Sequence, residues 1–224
     1  MPLSSGGCVI RARTESSLRG GTAIYITCLD MEGVLTPEIW IEFAQAAGIP
    51  ELERTTRDEP DYDKLMQYRI DILREHGLGI GDIQKIIATL EPLPGAREFL
   101  DELRSFSQVI ILSDTFEEFA MPLVEKLGRP TIICNSLDID ADGMITGHRM
   151  RCEQTKLTSV RAFHEMGMEI VASGDSHNDV GMITEAEAGF FFRTTPELKE
   201  QFPEVPAYEE YGELLQAIRS AQGK

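Results

Sequence analysis

Three apolar runs of the sequence each end in a cluster of carboxylate, amide and hydroxyl side chains. The clusters are Asp30 with Glu32, Ser113 with Asp114, and Asp175 with Asn178 and Asp179. Carboxylates crowded at one edge of a protein repel each other, so a cation is expected among them. Oxygen ligands with few carboxylates suit Mg²⁺, which keeps several waters and also binds phosphate oxygens. Beside such an ion, Asp30 would stay ionised and is a candidate nucleophile toward a phosphate ester.

The elements that must position these clusters are buried strands. Short β-prone runs at 23–29, 109–112 and 169–173 precede the three clusters, and helical patterns alternate with them and with further runs at 131–134 and 189–192. This alternation predicts an α/β fold with a Rossmann-like parallel sheet. Ligands of open parallel sheets bind beyond the carboxyl ends of the strands, so the three clusters are expected to meet at one edge.

Three consecutive helical patterns interrupt the alternation after the first strand. They cover about 37–47 and 61–76 and a third stretch that begins near Asp82, a favourable N-cap residue. We therefore predict a core made of residues 22–35 and 92–224 and a small helical cap at 36–91. Residues 140–143 are typical of a hairpin turn between two short strands.

Charge and composition exclude some classes of partner. Net charge is −17, which argues against nucleic-acid binding because that rests on lysine and arginine neutralising phosphates. Apolar runs fall short of the roughly 20 residues that a membrane-spanning helix needs. The four cysteines are widely spaced, which argues against a zinc site or a disulfide framework and favours the reducing cytoplasm.

The first 21 residues differ from the rest in charge. Arg11, Arg13 and Arg19 are accompanied by one acid, Glu15, with serine and glycine between them. The continuous apolar core of a secretory signal is missing from this stretch. We expect residues 1–21 to be a disordered or non-native extension.

Taken together, the ordered motifs resemble those of the haloacid dehalogenase superfamily. The matching segments are Asp30-Met31-Glu32-Gly33-Val34, Ser113, Lys156 and Gly174-Asp175-Ser176-His177-Asn178-Asp179. The helical insertion resembles the cap of the phosphoserine phosphatase branch. Segments 37–40, 56–58, 60–63 and 112–116 are most similar to the bifunctional phosphoserine phosphatase/homoserine phosphotransferase group, and the resemblance covers about residues 23–215.

This resemblance implies a role for each motif residue. Asp30 would form an aspartyl phosphate, and Glu32 would act as general acid and then general base. Mg²⁺ would be held by the Asp30 carboxylate, the Glu32 backbone carbonyl and Asp175. The phosphoryl oxygens would be held by Ser113 and Lys156, with a further hydrogen bond from Asn178. Asp114 is also counted among the substrate-binding residues. Asp179 would orient Lys156 or a metal-bound water, while the position of His177 is variable in the motif.

Substrate recognition would rest on Arg69 and Glu38. Arg69 lies inside the apolar arc of its predicted helix, where a charge must be paired or point into a cavity. Its planar fork could clamp a carboxylate, although packing of its stem with the head in water is an alternative. Glu38 could pair with a substrate ammonium or be a first-turn acid favoured by the helix dipole. Family members bind phosphoserine with residues at these two positions.

Several functions are compatible with these residues. The leading hypothesis is an L-phosphoserine phosphatase that also passes its phosphoryl group to homoserine. Alternatives are a phosphatase of another small phosphomonoester, a receiver-like phospho-accepting domain, and an inactive binding module. Most of the family has Asp where this chain has Glu32, and the longer side chain is expected to activate water less well. Whether a homodimer forms is left open by the sequence.

Overall fold

The computed structural model of the chain describes residues 23–56 and 58–224, and the predicted extension at 1–21 lies outside them. A seven-stranded sheet has the order β4-β3-β2-β1-β5-β6-β7, and its strands pair in parallel except for the antiparallel β3–β4 hairpin. The strands are β1 (Tyr25–Leu29), β2 (Gln108–Phe116), β3 (Thr131–Ile139), β4 (Ile145–Arg149), β5 (Glu169–Gly174), β6 (Ala188–Phe192) and β7 (Ala207–Tyr208). This topology confirms the predicted α/β, Rossmann-like class.

Helices cover both faces of the sheet. They are α1 (Ile39–Ala47), α2 (Tyr62–Glu75), α3 (Ile80–Ile87), α4 (Ala96–Arg104), α5 (Glu117–Lys126), α6 (Thr155–Glu165), α7 (Val180–Glu185), α8 (Pro196–Gln201) and α9 (Tyr211–Ala221), with 3₁₀ turns at Pro50–Glu53 and His177–Asp179. Alternate side chains of β1 pack on opposite faces, with Ile26 and Cys28 in one apolar cluster and Leu29 in the other. A strand buried on both sides explains why its sequence is almost uniformly apolar.

The first three helices form an insertion between β1 and the rest of the sheet. Leu93 N donates a hydrogen bond of 2.9 Å to Leu35 O, so the chain enters and leaves the insertion at neighbouring points. At its far side, Ile80 N donates to Gly143 O at 2.8 Å, and His148 Nε2 lies 3.1 Å from Asp63 Oδ1. The insertion is therefore joined to the core by its two chain connections and also by contacts with the β3–β4 hairpin.

Two predicted boundaries were wrong. Gly79, not Asp82, is the N-cap of α3, and the helix begins at Ile80 because the hairpin carbonyl of Gly143 accepts its first N–H. Strand β2 does not end before Ser113 but continues to Phe116, with an irregularity in its pairing to β3 after Leu112. Both differences come from contacts between segments that are distant in the sequence. The predicted hairpin turn at 140–143 is confirmed.

Candidate functional site

Asp30 sits directly beyond β1 at the centre of the sheet. Its backbone N–H donates to Ser173 O of the neighbouring strand β5 at 3.0 Å, and its side chain is 4% exposed. Oxygen Oδ1 accepts hydrogen bonds from Met31 N at 2.7 Å and from Lys156 Nζ at 2.8 Å. Burial and the nearby Asp179 raise the pKa of Asp30, and Lys156 acts in the opposite direction. The carboxylate therefore depends on cations beside it to remain ionised.

Lys156 lies in the first turn of α6 and joins two carboxylates. Its Nζ is 2.6 Å from Asp179 Oδ1 as well as 2.8 Å from Asp30, and all three side chains are buried. Burial lowers the pKa of Lys156, but Asp179 and Asp30 together outweigh it and raise the pKa overall. The other oxygen of Asp179 accepts from the backbone N–H groups of Asp175 and Ser176, each at 3.0 Å. Asp179 thus fixes Lys156 relative to the end of β5.

Asp30, Asp175 and Asp179 each offer an oxygen within 4.8 Å of the others. Burial, Asp179 and Glu38 raise the pKa of Asp175 to about 7, while Lys156 acts to lower it. The hard oxygen donors and the excess charge fit a divalent cation such as Mg²⁺. Since Asp179 is engaged by Lys156 and two N–H groups, Asp30 and Asp175 are the better ligands.

Gly33 makes room for Asp175 in this cluster. Its φ is +76°, and a Cβ built on it would lie 2.3 Å from Asp175 Cγ. Such a contact cannot be accommodated without moving the carboxylate. The glycine is therefore required both by its left-handed backbone and by the close approach of Asp175.

Glu32 is half-buried beside the start of α1. Its Oε1 accepts a hydrogen bond of 2.8 Å from Ile39 N. Burial and the neighbouring Glu38 raise the pKa of Glu32 to about 7, although the Ile39 N–H, Lys156 and Arg69 act to lower it. A carboxyl group with this pKa can both donate and accept a proton near neutral pH. Glu38 itself is exposed and is the N-cap residue of α1.

Arg69 lies on α2 and is 5% exposed, as its place in the apolar arc predicts. One terminal nitrogen donates to Arg54 O at 2.7 Å, the other lies 3.9 Å from Met66 Sδ, and Nε is buried without a hydrogen-bond partner among the described residues. No carboxylate of residues 23–56 and 58–224 comes within 4.0 Å of the guanidinium. Burial lowers the pKa of Arg69 to about 10, so it remains a cation at neutral pH.

Ser113 and Asp114 lie in the irregular part of β2 after Leu112, and Asn178 joins them through Asp114. Ser113 is 2% exposed, and its Oγ accepts from Thr115 N at 3.2 Å. The carboxylate of Asp114 accepts from the hydroxyl of Thr155 and, at 3.1 Å, from Asn178 Nδ2. Both oxygens of Asp114 are thus used within the protein, which suits it to position the start of α6 rather than to bind a ligand directly.

Two aromatic residues of the insertion were missed as site residues. The guanidinium of Arg69 stacks on the face of the Trp40 ring, with Cζ 4.3 Å from the ring centroid. Tyr62 is half-buried, and Arg69, Glu32 and Asp114 all act on its pKa, which is raised chiefly by burial. Tyr62 precedes Arg69 by two helical turns on α2, so helical spacing could have found it. Trp40 lies in the helical pattern at 37–47, and its spacing alone does not distinguish it from an ordinary core residue.

Comparison with known proteins gives the family of the chain. A sequence model of haloacid dehalogenase-like hydrolases matches residues 35–184. Phosphoserine phosphatase ThrH of Pseudomonas aeruginosa is 49% identical over 89% of this chain and 97% of its own length. A phosphoserine phosphatase of Pseudomonas syringae pv. tomato is 47% identical over 92% of this chain and 86% of that protein.

The fold has solved counterparts as well. A substrate-bound phosphoserine phosphatase complex superimposes with a TM-score of 0.69 at 24% identity, over 88% of this chain and 98% of that one. Within the described residues, the helices are too short or too polar to cross a lipid bilayer. The match of the family model over most of the chain, together with two relatives near half identity, shows that the chain belongs to the haloacid dehalogenase-like hydrolases, in their phosphoserine phosphatase branch.

Proposed function

We propose that the protein is a Mg²⁺-dependent phosphoserine phosphatase that works through a phosphorylated Asp30. One observation carries the proposal: the buried Asp30–Lys156 pair and the buried Arg69, which has no carboxylate within 4.0 Å among the described residues, both lie near Glu32. Lys156 and Arg69 each act to lower the pKa of Glu32, so this carboxyl group is near both cations. A phosphate at the lysine end and a carboxylate at the arginine end would match the two anionic groups of phosphoserine. The relatives named phosphoserine phosphatase point to the same substrate.

In the first step, a carboxylate oxygen of Asp30 attacks phosphorus and the bond from phosphorus to the serine oxygen breaks. Glu32, in its protonated form, gives its proton to that oxygen, so serine leaves as a neutral alcohol. Lys156 and Ser113 hold the equatorial phosphoryl oxygens, where charge is stabilised during transfer. Bound between Asp30, Asp175 and the Glu32 backbone carbonyl, Mg²⁺ would supply positive charge to the phosphoryl group.

In the second step, water attacks the phosphorus of the aspartyl phosphate. Glu32, now ionised, takes one proton from that water, and the bond from phosphorus to the Asp30 oxygen breaks to release phosphate and restore the carboxylate. Asp179 keeps Lys156 in place throughout, through its 2.6 Å contact. Asn178 and Asp114 support the phosphate side, with Asp114 acting through Thr155 and Asn178.

Recognition of the amino-acid part is assigned to Arg69 and Glu38. Arg69 would clamp the substrate carboxylate, and Glu38 would attract its ammonium group. The insertion at 36–91 supplies both residues, and we propose that it acts as a cap over the core made of 22–35 and 92–224. The cytoplasmic location and a homodimer remain predictions.

Transfer to homoserine is the finer part of the proposal. The relative at 49% identity carries the name ThrH, and Glu32 replaces the aspartate common in the family. A slower activation of water by Glu32 would lengthen the life of the phosphorylated Asp30 and let homoserine compete. Glu32→Asp is expected to lower the ratio of phosphohomoserine to inorganic phosphate. An unchanged ratio would show that Glu32 does not control this choice.

The direct test is to incubate the protein with L-phosphoserine and Mg²⁺, with and without homoserine, and to follow inorganic phosphate and phosphohomoserine. Wild type should turn over phosphoserine, and Asp30→Asn should not, while Asp82→Asn at an exposed position should match wild type. Turnover of other small phosphate esters but not of phosphoserine would favour a different phosphomonoester. If no ester reacts and Asp30→Asn equals wild type, the enzyme proposal is wrong.

A further inference from the structure

We propose that Trp40 is a positioning residue that sets the plane of the Arg69 guanidinium for a ligand carboxylate. This inference rests on the proposed function, because it assigns the carboxylate of the substrate to Arg69. The guanidinium carbon lies 4.3 Å from the centroid of the Trp40 ring, close enough for a face contact between cation and ring. Both side chains are buried, at 9% and 5% exposure.

Arg69 has few other contacts that could fix this plane. Among the described residues, its one hydrogen bond to an oxygen atom runs from a terminal nitrogen to Arg54 O, and one such bond does not by itself set the plane of the group. The thioether of Met66 at 3.9 Å is a weak acceptor. A bidentate grip on a carboxylate requires the two N–H groups to lie in the plane of the carboxylate. The stacked ring supplies the missing restraint.

Trp40 is itself held by the core of the protein. Its ring centroid lies 4.8 Å from that of Phe119 on α5, and Phe43 contacts it edge-on at 6.2 Å. The first turn of α1 also provides the N–H of Ile39 that binds Glu32. One helical turn therefore orients both the proton-transfer carboxyl group and, through Trp40, the carboxylate-binding arginine.

The test compares two substrates that differ by one group. L-Phosphoserine has a carboxylate and O-phosphoethanolamine does not, so their kcat/KM ratio measures recognition of the carboxylate. Trp40→Leu is expected to raise KM for phosphoserine about 10-fold with kcat changed less than about 3-fold. The same variant should leave kcat/KM for phosphoethanolamine unchanged. Trp40→Phe keeps an aromatic face and should recover most of the lost discrimination.

Phe202→Leu is the matched control. Phe202 is an aromatic residue that packs in a different apolar cluster from Trp40, with its ring centroid 6.2 Å from that of Phe191. Its replacement should leave the phosphoserine to phosphoethanolamine ratio at the wild-type value. If Trp40→Leu lowers kcat/KM equally for both substrates, or lowers neither, or if Phe202→Leu has the same effect as Trp40→Leu, the positioning role is wrong. A wild type that does not distinguish the two substrates would instead overturn the proposed phosphoserine specificity.

A binding measurement avoids turnover. The sequence contains one tryptophan, so the tryptophan fluorescence of the protein reports on Trp40. In Asp30→Asn, titration with L-phosphoserine and Mg²⁺ should change that emission saturably, because the carboxylate neutralises the cation on the ring. Adding Arg69→Met to this variant should abolish the change. Saturable emission change that persists without Arg69 would contradict the stacking proposal.

Discussion

The two ends of the candidate site differ in how their buried charges are satisfied. At the core end, Lys156 pairs with Asp30 at 2.8 Å and with Asp179 at 2.6 Å, and both carboxylates also accept from backbone N–H groups. At the insertion end, Arg69 is equally buried, but its partners among the described residues are a carbonyl, a sulfur atom and an aromatic face. The core end is thus organised by its own ion pairs, whereas no carboxylate of residues 23–56 and 58–224 lies within 4.0 Å of the Arg69 guanidinium. We therefore assign phosphoryl transfer to the core end, which is rich in carboxylates, and substrate selectivity to the insertion end, which contains the buried Arg69 cation.

Removing the central cation of the core end should have the largest effect. In Lys156→Met, two buried carboxylates lose their partner, so the free energy of unfolding should fall by about 3–5 kcal/mol. Activity toward phosphoserine should fall about 10³-fold, because a phosphoryl-binding group is lost. Urea unfolding and steady-state kinetics measure the two effects. Lys64→Met, at an exposed pair with Asp61, is the control and should change neither. Wild-type stability in Lys156→Met would mean that the core end is not held by this lysine.

Removing the Arg69 guanidinium should weaken substrate binding without lowering the free energy of unfolding. Arg69→Met is expected to raise KM for phosphoserine about 100-fold, because a charge-assisted bidentate contact is lost. The free energy of unfolding should stay the same or rise by about 1 kcal/mol, since a buried charge without a carboxylate partner is removed. Arg74→Met on the exposed side of α2 should leave both quantities unchanged. A stability loss like that of Lys156→Met would remove the contrast between the two ends.

A smaller effect is expected when Asp175, the carboxylate proposed to bind Mg²⁺, is displaced. Gly33→Ala places a methyl group against Asp175 and should weaken activation by Mg²⁺ about 10-fold, measured as the concentration for half-maximal rate. Gly48→Ala is a matched control, because its φ is +69° but its Cβ would meet no atom within 4 Å. Gly48→Ala should lose about 1 kcal/mol of stability from the left-handed backbone, and Gly33→Ala should lose more because the new methyl group also displaces Asp175. Equal Mg²⁺ dependence in the two variants would argue against Asp175 as a ligand.

The smallest effect should come from the contact between the hairpin and the insertion. Asp63 is 88% exposed although its partner His148 is largely buried, so the pair is strongly solvated. Asp63→Asn should change the free energy of unfolding by less than about 0.5 kcal/mol and leave KM for phosphoserine unaltered. Thermal unfolding and kinetics of the variant check this. A large change in KM would indicate that the contact between the insertion and the β3–β4 hairpin contributes to substrate binding.

Much of the core was predictable because its signals are local. Strands buried on both faces have continuous apolar sequences, and the polar residues that follow them stand out in the chain. This is why the sequence alone predicts Asp30, Ser113 and Asp175 at one sheet edge. The burial of Arg69 also followed from its helical spacing. These features depend on the periodicity of single elements.

The remaining features depend on contacts between distant segments. The start of α3 is set by Gly143 of the hairpin, and no residue near Asp82 signals that contact. The hydrogen bonds that Asp114 accepts from Thr155 and Asn178 join segments far apart in the sequence, and local spacing does not signal them. Short elements such as α7, α8 and β7 are too brief to give a clear periodicity. The role of Trp40 required knowing that α1 and α2 place its ring beneath Arg69.

The strand order has a consequence for the timing of assembly. β1 is paired on one side with β2 and on the other with β5, both formed much later in the chain. The N–H of Asp30 is bonded to Ser173, so this residue reaches its final position only after the second half of the sheet has folded. Non-local pairing of this kind slows folding. In a chain emerging from the ribosome, β1 would stay unpaired until β2 and β5 have been synthesised. A truncated or nascent chain is therefore expected to be inert, with reactivity gained only when the last central strand docks.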